Sequence, residues 1–302
     1  MTDKVRRKPT FKKMGLTLGD SLDIVPRLAD HSVSLTVTSP PYYVGKPYDV
    51  STDLSEFRKL HEKILPEVIR ATRNGGSICW QVGYHLKDGV CMPLDFIVHS
   101  IMADYENIYL RNRIAWTFGH GLHSMHRFSG RHEVILWYTI GKEYFFDLDA
   151  VRVPQKYPGK RHYKGARYGE PSGNPLGKNP SDVWDFPNVK AAHAEKTAHP
   201  CQFPIALVRR LVRALCPPDG LVLDPFIGSG TTAVAAVLEN RKFIGIEKRK
   251  QYFKIACSRV KYAKRGQLAV RGDQPVIIPD PNWKVSKPPS NFTANGSTGP
   301  EV

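Results

Sequence analysis

Leu221-Val222-Leu223-Asp224-Pro225-Phe226-Ile227-Gly228-Ser229-Gly230-Thr231-Thr232 reads as a buried strand, a glycine-rich turn and the start of a helix. An unbroken apolar run suits a strand covered on both faces. Glycines at 228 and 230 let the backbone pass close to a ligand. Ser229 to Leu238 predicts the helix, and Phe243-Ile244-Gly245-Ile246-Glu247 predicts a second strand that ends in an acid. Ligands of such sheets bind at the carboxyl ends of strands, where Glu247 can accept from both hydroxyls of a ribose. A dinucleotide site favours G-x-G-x-x-G directly after the strand. Here Asp224-Pro225-Phe226-Ile227 delays the first glycine, and an acid at 224 would repel a pyrophosphate. It suits a cationic amino group, such as that on the methionine end of S-adenosylmethionine.

The same alternation extends outward from this segment. Leu16-Thr17-Leu18 reads as a strand closed by Gly19-Asp20, Ser21–Leu28 as a short helix, and Val33–Val37 as a strand running into Thr38-Ser39-Pro40-Pro41-Tyr42. Leu54–Thr72 carries Phe57, Leu60, Ile64, Leu65, Val68 and Ile69 at helical spacing and closes on Asn74-Gly75. Ser77–Val82 predicts a strand and Pro93–Met102 a helix. Ile108–Trp116 and Glu133–Tyr138 are β-rich. Pro204–Leu215 and Arg249–Val260 read as further helices. Strands alternating with helices predict an α/β fold with a mostly parallel sheet and helices on both faces.

The 302 residues suit one large domain with an insertion, or two small domains. No apolar run approaches the roughly 18 residues of a membrane span; Ala233–Leu238 is the longest obvious one. The basic start is not followed by an apolar stretch, so no secretory signal is read there. Cys79, Cys91, Cys201, Cys216 and Cys257 form no C-x-x-C pair, which argues against a zinc site or a disulfide framework and fits a reducing cytoplasm. A net charge of +16 points to a polyanionic partner, of which nucleic acid is the commonest. Charge alone does not separate a nucleic-acid enzyme from a ribosomal or packaging protein. Residues 1–14 form a basic arm. Residues 152–198 are rich in Gly, Pro and cations, nine Lys/Arg against four Asp/Glu, with weak periodicity, and read as an inserted module. The composition turns to Pro, Ser, Asn and Gly after about residue 272, the mark of a loose tail.

The Thr38–Tyr42 turn has its own chemistry. An exocyclic base amino group is a poor nucleophile, because its lone pair is delocalised into the ring. Acceptors for its N–H groups favour a more tetrahedral nitrogen, and the nitrogen, methyl carbon and sulfur must be held in line. Pro41 has no N–H and stiffens the turn, which leaves the Pro40 carbonyl as an acceptor. The Ser39 hydroxyl is a second acceptor, and the Tyr42 ring can stack on a base swung out of a duplex. A rigid Pro-Pro turn with Tyr42 packed on the core is the alternative reading of the turn in isolation.

With both motifs in this order, the chain resembles the bacterial DNA amino-methyltransferases of the β arrangement, in which the catalytic motif precedes the cofactor motif. The resemblance covers roughly residues 15–262. Thr38–Tyr42 looks like the catalytic motif and Asp224–Thr232 like the cofactor motif. His199-Pro200-Cys201-Gln202-Phe203-Pro204 looks like the segment lining the methionine pocket, and Arg131-His132-Glu133 leading into Val134–Tyr138 like a late strand of the catalytic half. The resemblance implies a permuted Rossmann-like methyltransferase fold: a catalytic half at 15–141, a target-recognition insertion at 142–198, a cofactor half at 199–264 and a tail at 265–302. It implies catalysis by Ser39, Pro40, Pro41 and Tyr42. For S-adenosylmethionine it implies a site drawn from Asp20, at the cofactor adenine, with Thr38, His199, Asp224, Phe226, Gly228, Gly230, Thr231 and Glu247. No metal is required.

Pro200-Cys201-Gln202 also resembles the nucleophile motif of cytosine-C5 methyltransferases, but there the cofactor motif precedes the cysteine; Cys201 is therefore not expected to be catalytic. In the resembled family a Ser-Pro-Pro-Tyr turn goes mostly with cytosine N4 and Asp-Pro-Pro-Tyr mostly with adenine N6, so Ser39 favours cytosine while adenine stays open. Double-stranded DNA is the expected partner. Lys156, Lys160, Arg161, Lys164, Arg167 and Lys178 are candidates for phosphate contacts. A cognate restriction endonuclease and a homodimer are compatible with the resemblance. The rival readings are a nucleic-acid-binding protein that keeps the fold without the chemistry, and an RNA or protein-glutamine methyltransferase, where a similar Pro-Pro-Tyr turn occurs.

Overall fold

The computed structural model describes residues 14–43, 53–119, 121, 123–155, 161–190 and 192–271. Strands β1 (Gly15–Leu18), β2 (Val33–Thr38) and β3 (Thr72–Val82) are followed by a separate hairpin, β4 (Tyr84–Lys87) and β5 (Val90–Pro93). Then come β6 (Ile108–Thr117), β7 (His132–Ile140), β8 (Val183–Asp185), β9 (Leu221–Asp224) and β10 (Lys242–Glu247). Apart from the hairpin, the strands form one sheet in the order β1-β10-β9-β2-β3-β7-β6-β8. Pairing is parallel from β1 through β3, β7 runs antiparallel to both β3 and β6, and β8 is parallel to β6. Strands β9 and β10 come late in the chain yet lie between β1 and β2, which is the permuted arrangement implied by the motif order.

Helices cover both faces, as expected. On one side lie α1 (Ser21–Ile24), α2 (Leu54–Ala71) and α3 (Leu94–Met102), packed on Ile78, Trp80 and Val82 of β3 and on Val134, Leu136 and Tyr138 of β7. On the other lie α4 (Ile205–Leu215), α5 (Thr231–Leu238) and α6 (Lys250–Lys264), packed on Cys79, Ile135, Trp137 and Val222. Side chains alternate between faces along each strand, and because both faces are covered, each strand contributes to two cores. No described helix is long and apolar enough to cross a membrane.

Several expected boundaries move. Helix α2 stops at Ala71, where the Thr72 hydroxyl bonds back to Val68 O at 2.7 Å, and β3 starts at once. Asn74-Gly75 is thus a kink inside β3 rather than a helix end: Gly75 has φ +71 and the β2–β3 register shifts beside it. Helix α5 starts at Thr231, not Ser229, because Gly230 is its left-handed N-cap at φ +88. Helix α6 runs four residues beyond Val260. Within 142–198 the described backbone has β8 and the bridges Val153–Lys178 and Arg161–Pro171, which fits the irregular reading. Late in this stretch, Glu195 accepts from Ile205 N at 2.9 Å and so caps α4, whose N-cap residue Pro204 has no side-chain cap to give. The basic arm before Met14 and the tail beyond Arg271 lie outside the described residues.

Candidate active site

Strands β2 and β9 are parallel neighbours, so the two motifs at their carboxyl ends meet. The Thr38 hydroxyl donates to Asp224 Oδ1 at 2.6 Å, and Phe226 N donates to the same oxygen at 3.0 Å. Asp224 is only 1% exposed. Burial pushes its carboxyl up to about 6, against the hydrogen bonds from Thr232, Thr38 and Phe226 N. Thr38 and Asp224 therefore lock the two strand ends together and do not line the cavity.

A cavity of about 900 Å³ opens where these ends meet. Asp20, Ser39, Pro40, Pro41, Tyr42, His199, Phe226, Gly228, Thr231 and Glu247 all line it. Glu247, at the end of β10, accepts from Gly228 N at 3.0 Å through one oxygen and from Arg249 N at 2.7 Å through the other. Burial raises its carboxyl, and those backbone donors partly offset the rise. Asp20 caps α1 through Leu22 N at 3.0 Å and pairs with Lys248 at 2.8 Å. Burial pushes it up, but these two bonds prevail and hold it below the usual carboxylate range.

The two turn glycines have different jobs. At Gly228, φ +51, a Cβ would come 3.0 Å from His199 Nε2 at the cavity wall. At Gly230 a Cβ would come 2.9 Å from both Cα and Cβ of Ala256, so this glycine sets the α5–α6 approach. Arg259 of α6, which the sequence reading did not single out, is buried beneath the turn. One of its nitrogens donates to Ser229 O at 2.9 Å, Ser229 Oγ at 3.0 Å and Thr231 Oγ1 at 3.0 Å, and burial lowers its pKa to about 10. His199 stacks edge-on against Tyr252 at 4.3 Å and its Nδ1 meets the Cys201 carbonyl. Burial holds His199 down to about 4, so the ring is neutral near pH 7.

On the other wall, Ser39 Oγ donates to the Tyr42 hydroxyl at 3.2 Å, which lies 3.3 Å from Glu133 Oε2 and 3.4 Å from Gln81 O. Gln81 Nε2 also donates to Glu133 Oε2. Burial raises the Glu133 carboxyl, opposed by these bonds from Gln81 and Tyr42. The Ser39–Tyr42 turn is therefore fixed by Gln81 of β3 and Glu133 of β7. Gln81 was not foreseen, and neither were Trp116, Phe118 and Lys190, which join the lining. Cys201 is exposed at the cavity edge. Among the described residues no group of three or more His, Cys, Asp or Glu is placed to hold a metal ion.

The cationic candidates of the insertion stand apart from this cavity. Arg161 donates to Gly169 O at 2.5 Å, Lys164 lies 5.8 Å from the Tyr163 ring centroid, Arg167 pairs with Glu170 at 2.8 Å, and Lys178 bridges to Val153 through its backbone. Among the described residues of this stretch, only Asn188, Val189 and Lys190 reach the cavity. Lys156 and Lys160 lie outside the described residues.

Comparison with known proteins places this arrangement. A family model described as DNA methylase, of the N6/N4 methyltransferase type, matches residues 33–258. The type II methyltransferase M.BglII of Bacillus subtilis is 47% identical over 239 residues, 79% of this chain and 66% of that relative's length, just under two thirds. The DNA adenine methyltransferase YhdJ of Escherichia coli K12 is 30% identical over 282 residues, 87% of this chain and 92% of its own. Among solved structures, the cytosine-N4-specific PvuII DNA methyltransferase shares the fold at a TM-score of 0.65 and 21% identity, with 87% of this chain and 96% of that one covered. The chain belongs to the N6/N4 DNA methylase family of DNA amino-methyltransferases.

Proposed function

We propose that the chain transfers a methyl group from S-adenosylmethionine directly to the exocyclic N4 of a cytosine swung out of duplex DNA. The observation that carries this reading is that Ser39–Tyr42 and Gly228–Glu247 face one another across a single cavity. The residues present fit the cofactor. Glu247 and Asp20 offer carboxylates for a ribose and an adenine edge, Phe226 and Ile246 offer apolar walls, and Gly228 leaves open the space a Cβ would take beside His199. When bound, S-adenosylmethionine supplies an electrophilic methyl on a sulfonium. Ser39 Oγ, whose proton goes to Tyr42, keeps its lone pairs for a base amino group, and the Pro40 carbonyl is the second acceptor. The Tyr42 ring carries the flipped base, with its hydroxyl held by Glu133 and Gln81.

Ser39, a neutral acceptor, supports cytosine. Adenine N6 is the second reading, favoured by the 30% identity to a relative named as a DNA adenine methyltransferase. The insertion at 142–198 is proposed to read the target, with Arg161, Lys164, Arg167 and Lys178 on phosphates. A cytoplasmic place and a cognate restriction endonuclease accord with the relative named as a type II methyltransferase. The test is to express the chain in a host lacking other DNA methylation, digest the DNA and identify the modified nucleoside by mass spectrometry. N4-methylcytosine is expected. N6-methyladenine would transfer the proposal to adenine, and no modified base would overturn it.

A further inference from the structure

Between β6 and β7 the chain makes an excursion whose described tip, residues 123–131, exposes two large apolar side chains to water. Phe128 is 99% exposed and Met125 92%, the two most exposed large hydrophobics among the described residues. Isolated exposed apolar residues are ordinary on a protein surface. These two stand three positions apart on one loop, and the loop is held in place. Phe118 N donates to Arg131 O at 3.0 Å and closes its base, and Ser124 N donates to Ser129 Oγ at 3.1 Å across the tip. The Arg127 guanidinium lies 5.7 Å from the Tyr84 ring centroid, and a Cβ at Gly130 would collide with the Tyr84 hydroxyl. The loop is therefore seated on the β4–β5 hairpin, beside the catalytic wall.

Its position and charge point to a partner. Gly121, just before the tip, lines the cavity, as does Glu133, just after it. Residues 123–132 contain His123, His126, Arg127, Arg131 and His132 and no acid. An apolar pair on a loop that carries Arg127 and Arg131 and no acid, beside the cavity, matches a polyanion with a stacked apolar interior, which is a nucleic-acid duplex. Side chains such as Phe and Met act there as wedges between base steps, where they offset the loss of stacking when a base leaves.

We propose that Phe128, with Met125 beside it, enters the duplex at the target step and fills the space vacated by the base that moves into the cavity, while Arg127 and Arg131 meet the flanking phosphates. This rests on the reading of the chain as a methyltransferase acting on a flipped base. The loop would thus lower the cost of extrusion without touching the reacting atoms.

The test uses duplex oligonucleotides containing the site that the wild-type chain marks in cellular DNA, in two forms, with the target base correctly paired and with it mispaired. Phe128→Ala, Met125→Ala and the double variant are compared with Phe96→Ala, a truncation of an exposed residue on α3, away from the cavity. For Phe128→Ala, kcat/KM is expected to fall at least tenfold on the paired duplex and less than threefold on the mispaired one, because the mispaired base is already loosened. The affinity for S-adenosylmethionine and the activity of Phe96→Ala should stay unchanged, and Phe128→Trp should restore activity. Equal losses on both duplexes, or none on either, overturn the wedge. A loss that accompanies a shift in sedimentation also overturns it and assigns the patch to a second copy of the chain. If the wild-type chain marks no DNA at all, it is the reading of the function that has failed.

Discussion

Asp224→Asn tests what the meeting of the two motifs costs the fold. The carboxyl is buried among Thr38, Thr232 and the Phe226 amide, and burial raises its pKa to about 6, from the 3.8 usual for an aspartate. Below about pH 4 it is protonated whether the chain is folded or not, and it has no effect on stability. Between about 4 and 6 the unfolded chain releases the proton while the folded chain keeps it, so each unit of rising pH removes about 1.4 kcal/mol. Above about 6 both states are ionised and the penalty is constant. A rise of about two units is about 3 kcal/mol at neutral pH. Asparagine has the shape of the protonated acid, can still accept from Thr38 and Phe226 N, and has Thr232 as a partner for its amide. The variant should therefore be more stable than wild type by about 2–3 kcal/mol at pH 7.5, with the gap closing toward pH 4. Other titrating groups, including the buried His61 and His199, cancel in the difference. The assay is urea unfolding of both proteins at half-unit steps from pH 4 to 7.5. A gap that does not change with pH, or an asparagine variant less stable at pH 7.5, would show that the carboxylate is not held as described.

Gly230→Ala should destabilise the fold by about 2–5 kcal/mol, since a left-handed alanine costs about 1–2 and forced packing against Ala256 about 1–3; thermal unfolding reads this directly. Tyr42→Phe removes the hydroxyl that ties Ser39 to Glu133 and Gln81, a net loss of about 1–2 kcal/mol, so kcat should drop about tenfold while the affinity for S-adenosylmethionine, measured by calorimetry, stays the same. Ionised Glu133 accepts from Tyr42 and Gln81, so activity should fall as pH drops through a value above 4.5, the usual one for this side chain. In Glu133→Gln that acid limb of the kcat/KM profile should vanish; an unchanged limb would assign it elsewhere. Cys201→Ser should keep activity within about threefold, and complete loss with normal cofactor binding would revive a thiolate mechanism.

Much of the scaffold was readable because each strand and helix declares itself locally. Val33–Val37 alternates β-branched and apolar residues with hydroxyl residues, Leu221–Leu223 is an apolar run, both are ended by turn residues, and α4 repeats its leucines at helical spacing. The order of the motifs carried the permutation. What escaped depends on contacts distant in sequence. Asp224 lies beside a cofactor motif, and nothing local says that its carboxylate turns toward Thr38. Arg259 looks like a surface cation in a charged helix, and only the fold puts it under the glycine turn. Glu195 sits in an irregular stretch without helical periodicity but caps α4, ten residues on. Strand β8 is three residues long with no period to detect. The β4–β5 hairpin did have a signal: Asp88-Gly89, with φ +50 and +78, is the turn dipeptide that favours such hairpins. The short strands on either side gave too little alternation to draw attention to it.

The bond between Thr38 and Asp224 joins residues 186 positions apart, and this has a consequence for the chain as it is made. Strand β2 can pair with β3 soon after synthesis, but its other edge waits for β9, and β1 waits longer still for β10. At about 5–20 residues per second, the interval between the two motifs is about 10–40 s. Throughout it, the edge of a strand that lies buried in mid-sheet in the finished protein stands open on the ribosome, ready to pair with another nascent chain. The permuted order therefore makes maturation of this enzyme depend on what shields that edge until the last third of the polypeptide emerges.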